Sequence, residues 1–223
     1  VCVTGAEAEV TVSGRPALLA TPTIVPAGAE LKVGPARVGM RSYIAVRGGL
    51  ITDTELDSAA TDMLSGLGPA PIRTGDTIAM SLRVPQSANA LLTNPLRVTK
   101  EGGQTVGVLR CVLGPRDDWF SEGDVEKYLN QTYTVTPDSN RVGLRLQGAE
   151  PLERAREGEL PSEGMVAGSV QIPPSGQPVL FLRDHAVTGG YPVIATVVSE
   201  DVDIAAQLPP GAIVRFELFE RNM

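Results

Sequence analysis

The residues best equipped for chemistry fall between Glu159 and Ser199. His185, the only histidine in the chain, follows Asp184 and precedes the run Thr188-Gly189-Gly190-Tyr191-Pro192. Glu163, Gln171 and Gln177 lie upstream, each close to glycine or proline. A histidine titrates near neutrality and can act as a general base or hydrogen-bond a substrate. A carboxylate held in a turn can orient or deprotonate water. Paired glycines let a ligand approach backbone amides, which suits an anion or developing negative charge. Asp184, Glu163 and His185 are therefore the candidate catalytic residues.

Each also has a plainer reading. Neighbours along a strand point to opposite faces, so Asp184 need not orient His185, which can be satisfied at a strand end. Asp184 can accept N–H groups of the turn that follows it, and a double glycine is also the simplest bend or bulge. Gln171 and Gln177 flank Pro173-Pro174-Ser175-Gly176; buried, such amides need matched partners, and exposed, they are ordinary loop residues. Arg141 and Arg145 stand an even number of strand positions apart and share a face. They make either a wall for a carboxylate or amide substrate, or a surface stripe paired with Asp138 or Glu150. Arg141, nearer the turn, is the better placed for substrate, with Gln171, Gln177, Thr188, Gly189, Gly190 and Tyr191 as its companions.

The elements that must position these groups read as β-rich. Before residue 83, short apolar or alternating runs (Glu9–Val12, Glu30–Val33, Ser42–Val46, Thr77–Leu82) are separated by glycine and proline turn chemistry. Residues 84–95, VPQSANALLTNP, read as a linker between domains at 1–83 and 96–223. Beyond it we expect a strand at Thr105–Leu113 and a short helix capped by Ser121. Hairpins follow around Pro137–Asn140 and Ser175-Gly176-Gln177, then a helix at Asp201–Gln207 and a closing strand at Ala212–Phe219. Trp119 and Phe120 are expected to anchor the first helix, and Asp117 beside Asp118 gives no evidence of a converging acid pair.

Composition agrees. The 223 residues include 24 glycines, 18 prolines and 4% aromatics, which fits many short strands better than a helical bundle. A formal charge of −7 argues against nucleic acid or an anionic membrane as partner. No run has the length of a transmembrane helix, and Cys2 and Cys111 offer neither a disulfide framework nor metal spacing, so a cytoplasmic protein with no metal is expected. There is no phosphate-binding Gly-x-x-x-x-Gly-Lys-[Ser/Thr] loop and no Gly-x-Ser-x-Gly elbow.

Five segments carry a family resemblance: RSYIAVRGG (Arg41–Gly49), GPRDDWF (Gly114–Phe120), DSNRVGLRLQG (Asp138–Gly148), LPSEGMVAGSVQIPPSGQP (Leu160–Pro178) and DHAVTGGYPVIATV (Asp184–Val197). In this order they resemble the C subunit of 5-oxoprolinase, the biotin-dependent carboxyltransferase-like family also labelled allophanate hydrolase subunit 2. Relatives include the carboxyltransferase region of urea carboxylase and the KipA antagonist of a sporulation-kinase inhibitor. The chain departs from the family at Ser58-Ala59-Ala60-Thr61-Asp62, where an arginine and a second serine are absent, and relatives can carry arginine in place of His185.

The resemblance implies a mainly β protein of two cyclophilin-like β-barrel domains with few short helices, the first N-terminally incomplete. It implies a subunit of a hetero-oligomeric, ATP-dependent 5-oxoprolinase, inactive alone, with ATP bound with or by a partner. The A-like and B-like (KipI-like) proteins of such an enzyme would be the partners, and a lactam or amide the substrate. The same resemblance leaves open a carboxyltransferase component of a biotin-dependent urea or amide carboxylase, or a non-catalytic KipA-like regulatory subunit.

Overall fold

Apolar side chains alternate with exposed ones along most of the extended runs, so each strand buries one face. A computed structural model describes residues 1–63, 65–81, 83 and 98–219. Its backbone divides into two units, Val1–Arg37 with Ser42–Pro95, and Val38–Arg41 with Leu96–Met223. The expected linker at 84–95 lies outside the described residues.

β1 (Cys2–Val12), β2 (Arg15–Ala17) and β3 (Leu31–Ala45), all of the first unit except Val38–Arg41 of β3, form a sheet in the order β2-β1-β3. The Ser13-Gly14 turn, with both residues at positive φ, closes the β1–β2 hairpin in antiparallel register Val12↔Arg15. The runs Glu30–Val33 and Ser42–Val46, read separately in the sequence, are one continuous strand. Gly34 lies within it, where a Cβ would come 3.3 Å from Glu9 O of β1. β4 (Leu50–Ile51) and β5 (Ala79–Met80) pair as a short ribbon. Thr77–Leu82 is thus shorter as a strand than expected, with Leu82 outside the described residues.

The second unit closes on itself. Its strands are β6 (Thr99–Glu101), β7 (Gln104–Leu113), β8 (Tyr133–Val135), β9 (Gly143–Gly148), β10 (Glu163–Gly164), β11 (Ser169–Gln171), β12 (Val179–Phe181), β13 (Thr188–Gly189), β14 (Val193–Val197) and β15 (Ile213–Leu218). The order β14-β11-β12-β9-β8-β15-β7 returns to β14 through the pairing of Cys111–Leu113 with Ala195–Val197, giving a closed seven-stranded barrel. β15 runs parallel to β7, and β6 adds to the other end of β7. Closure leaves these seven strands no free edge between them. Both expected hairpins are present, as β8–β9 and β11–β12.

The barrel interior is filled by Leu109, Cys111, Leu144, Leu146, Val170, Ile172, Leu180 and Ile194, all essentially inaccessible to solvent. At one end Tyr128 stacks on Phe216 with ring centroids 4.6 Å apart, and Tyr133 meets the same ring edge-on at 5.6 Å. Tyr128 belongs to α1 (Glu122–Asn130), whose N-cap is Ser121, accepting from Asp124 N–H at 3.1 Å. Phe120 is buried beside it and Trp119 packs against the core, as the sequence led us to expect. The second helix, α2, runs Ser199–Ala205, two residues earlier than expected at each end. Gln207 is drawn out of it: its side-chain oxygen accepts from Met40 and Arg41 N–H, and its amide donates to Arg41 O. Asp201, fully buried in α2, accepts from the Arg110 backbone N–H and from its guanidinium at 2.7–2.8 Å, fastening helix to barrel.

Candidate functional site

The site begins where β7 ends. A Cβ on Gly114 would lie 2.3 Å from Val193 O, so glycine alone lets the chain pass this close to β14. Gly114 N–H donates to Ile194 O at 2.8 Å and Arg116 N–H to Val193 O at 3.2 Å. So anchored, Arg116 meets Glu163: its Nε donates to both carboxylate oxygens at 3.1 Å, and its Nη2 donates to Oε1. This is a two-pronged, charge-assisted pair whose two side chains each keep about a third of their surface in solvent. The hydrogen bonds that Glu163 accepts hold the Arg116 guanidinium above its ordinary pKa.

Glu163 is a residue of β10, and its partner across the ribbon is Gly189 of β13. Behind Gly189 lies the fully buried Gln171 side chain. Its Nε2 donates to Tyr191 O at 2.9 Å and contacts Met165 Sδ at 3.2 Å. A Cβ on Gly189 would sit 2.5 Å from that nitrogen. Gly189 and Gly190 have no positive φ, so the need for glycine at 189 comes from the neighbouring amide rather than from a left-handed turn. Tyr191 presents its ring to Arg154, whose guanidinium carbon lies 5.5 Å from the ring centroid. Arg154 Nη2 donates to Ile172 O at 2.7 Å. Contacts therefore run without a gap from Arg116 through Glu163, Gly189, Gln171 and Tyr191 to Arg154.

Asp184 and Arg141 form a separate pair, 3.4 Å apart and half exposed. Glu150, one of the acids expected beside Arg141, lies 3.7 Å from Lys127. His185 Nδ1 lies 2.8 Å from Ala186 O, a geometry that makes Nδ1–H the donor, and its ring is 6.2 Å from that of Phe181. Gln177 stands elsewhere: its side-chain oxygen accepts from Gly148 N–H at 2.7 Å, past the β11–β12 turn. Asp118 pairs with Arg156 at 2.7 Å. Of the sequence candidates, the barrel brings Glu163, Gln171, Thr188, Gly189 and Tyr191 together, and joins Asp184 to Arg141.

Two members of the cluster went unnoticed in the sequence. Arg116 stood inside a segment assigned to helix anchoring, with only its place after Gly114-Pro115 to mark it. Arg154 carried no local signal. In the first unit Thr61 donates from Oγ1 to Pro69 O at 2.7 Å and Asp62 accepts from Ser65 Oγ at 2.6 Å, so these two residues fasten a turn. Among the described residues no group of three or more His, Cys, Asp or Glu is placed to hold a metal ion. None of their helices is long and apolar enough to cross a membrane.

The chain is similar to several known proteins. Residues 1–218 match the model of the carboxyltransferase domain, subdomain A and B. The chain is 31% identical over 220 residues to the 5-oxoprolinase C subunit of Haemophilus influenzae, covering 97% of this chain and 68% of that protein. It is 32% identical over 193 residues to the 5-oxoprolinase C subunit of Escherichia coli, covering 85% of this chain and 60% of the relative. The crystal structure of the K. lactis urea amidolyase superposes with a TM-score of 0.85 at 22% identity, over 98% of this chain but 14% of that one. At that identity the likeness concerns the fold alone. The family match spans both units and all five segments singled out in the sequence, and the chain belongs to the carboxyltransferase-domain family made of subdomains A and B.

Proposed function

We propose that this chain acts as the C-type subunit of a hetero-oligomeric, ATP-dependent 5-oxoprolinase. The reading is carried by the Arg116–Glu163–Gly189–Gln171 run, a charged pair and a fixed amide set side by side in the segments shared with the 5-oxoprolinase relatives. In the reaction ATP activates the lactam carbonyl, the oxygen of a water adds to that carbon, and the C–N bond breaks. The ring nitrogen leaves as the amine of glutamate, with ADP and phosphate as the other products. Glu163, held by Arg116, would orient the water, and Asp184, held by Arg141, would line the approach. His185 offers Nε2 for a proton, since Nδ1–H is engaged with Ala186 O. With no phosphate-binding loop in this chain, ATP would be bound with or by the A-like and B-like (KipI-like) partners.

The test is to co-purify the natural protein that carries this chain with its A-like and B-like partners. ATP hydrolysis is then compared with 5-oxoproline, urea and no substrate. Stimulation by 5-oxoproline that disappears when this subunit is omitted supports the reading. The match to a carboxyltransferase domain favours carboxyl transfer as the alternative, which we read as transfer from carboxybiotin to urea or a related amide. A biotinylated protein in the complex, with silence toward 5-oxoproline, would select it. A complex that forms but gives neither activity would select a regulatory role.

A further inference from the structure

We propose that Arg154 is a substrate-carboxylate seat, and that the site takes a small organic acid whose carboxylate docks on the guanidinium above Tyr191. The inference deepens the oxoprolinase reading and rests on it: 5-oxoproline carries such a carboxylate, whereas urea does not.

Three other arginines of this unit are paired with acids: Arg116 with Glu163, Arg141 with Asp184 and Arg156 with Asp118. Arg154 makes no ion pair among the described residues; its hydrogen bond goes to the Ile172 carbonyl, a neutral acceptor. Its Nε is buried without a hydrogen-bond partner. A guanidinium has five donors in a planar fork shaped for a carboxylate, and here most of them are uncommitted. The group is also held in place before any ligand arrives. Nη2 is tied to Ile172 O, the face lies over the Tyr191 ring, and the backbone of Arg154 bridges to Phe120. A preset fork loses little rotamer freedom on binding.

An open groove of about 450 Å³ adjoins it, walled by Pro151–Arg154 on one side and the Pro173–Gly176 turn on the other. Leu152 N–H donates to Gly176 O at 2.9 Å, which ties the two walls together. The one acid of the wall, Glu153, acts with Asp124 and Glu150 on the Lys127 ammonium. Tyr191 links the groove to the rest of the cluster, since its carbonyl accepts from Gln171 behind Gly189. A carboxylate on Arg154 would therefore place the body of a small lactam toward Gly189 and Glu163.

The experiment uses the assembled enzyme and two lactams, 5-oxoproline and 2-pyrrolidinone, the same ring without its carboxylate. Wild type is expected to prefer 5-oxoproline in kcat/KM. Arg154→Gln should raise the KM for 5-oxoproline by about 10- to 100-fold, the range for losing a charge-assisted hydrogen-bonded pair. The loss should fall far more heavily on 5-oxoproline than on 2-pyrrolidinone, so the preference ratio collapses. An unchanged ratio overturns the seat while leaving the oxoprolinase reading intact. A raised KM for ATP with an unchanged ratio also overturns it, because the fork would then serve a phosphate. Should Arg154→Gln fail to fold, Arg154→Lys decides: it keeps the charge and a donor for Ile172 O but not the fork, and an unchanged ratio again overturns the proposal. If the wild-type assembly ignores 5-oxoproline, the function reading fails first. Binding of 5-oxoproline to the natural protein by titration calorimetry then decides the seat, which stands if binding needs Arg154 and falls if it does not.

Discussion

Gln171 occupies the space that a side chain at position 189 would need. Its Nε2 lies 2.5 Å from where a Cβ on Gly189 would be, while donating to Tyr191 O and contacting Met165. The amide is buried and cannot swing into solvent, so position 189 and the Gln171 side chain are coupled. Gly189→Ala is expected to cost about 1–3 kcal/mol, the usual penalty of overpacking. Adding Gln171→Ala should return part of that loss, a non-additive cycle readable by denaturant unfolding of the four proteins. Full additivity would show that the two positions do not share this space.

Glu163 and Arg116 can be separated without unfolding the barrel, because both side chains keep contact with solvent. Glu163→Gln should leave the thermal midpoint nearly unchanged. In the assembled enzyme it should lower kcat/KM for 5-oxoproline by about 10- to 100-fold, as loss of a hydrogen bond to a charged group would. A large fall in the midpoint with intact activity would make the pair structural.

Asp201 behaves differently. It is 2% exposed and accepts three hydrogen bonds from Arg110. Asp201→Ala would strand the Arg110 N–H and guanidinium together. We expect a loss of about 3 kcal/mol, the low end for a broken buried pair because Arg110 reaches solvent. Urea unfolding of the variant measures it.

Burial alone would raise the pKa of Asp124, but hydrogen bonds from the Ser121 hydroxyl, Glu153 N–H and Lys127 outweigh it and leave it lowered. A lowered folded value contributes stability that is fully present above the unfolded pKa and lost as pH falls through the folded one. The stability gap between wild type and Asp124→Asn should thus be flat above about pH 5 and shrink below about pH 4. A gap that is constant down to acid-induced unfolding would remove the charge from the explanation.

Cys111 sits inside the barrel, where burial pushes its thiol up to about 11. The thiolate is the reactive form. At pH 8 a thiol reagent should label Cys2, which is partly exposed, and reach Cys111 only after unfolding, as peptide mapping of the labelled protein would show. Rapid native labelling of Cys111 would mean that the barrel opens.

What the sequence determined by itself is local. The apolar run Thr105–Leu113 announces a strand, and Ser121 before an acidic turn announces a capped helix. The Ser13-Gly14 and Ser175-Gly176 turns announce hairpins, for glycine supplies conformations that other residues resist. Asp184 and Arg141 were both legible as polar groups in turn-rich surroundings, although nothing local said that they would pair.

Only the tertiary structure decided who meets whom. Glu163 and Gly189 lie in two-residue strands too short to carry a periodic signal, and their register follows from how the surrounding barrel closes. Arg116 meets Glu163, 47 residues further on, because Gly114 lets β7 leave the barrel hard against β14. Gln177, which with Gln171 flanks Pro173-Pro174-Ser175-Gly176 in the sequence, is turned toward Gly148. Backbone preferences and burial alternation act within a few residues, so they are written in the local sequence. Barrel closure is a sum of pairings between distant segments, and it alone sets Arg154 over Tyr191 with Nη2 tied to Ile172 O and Nε unpartnered.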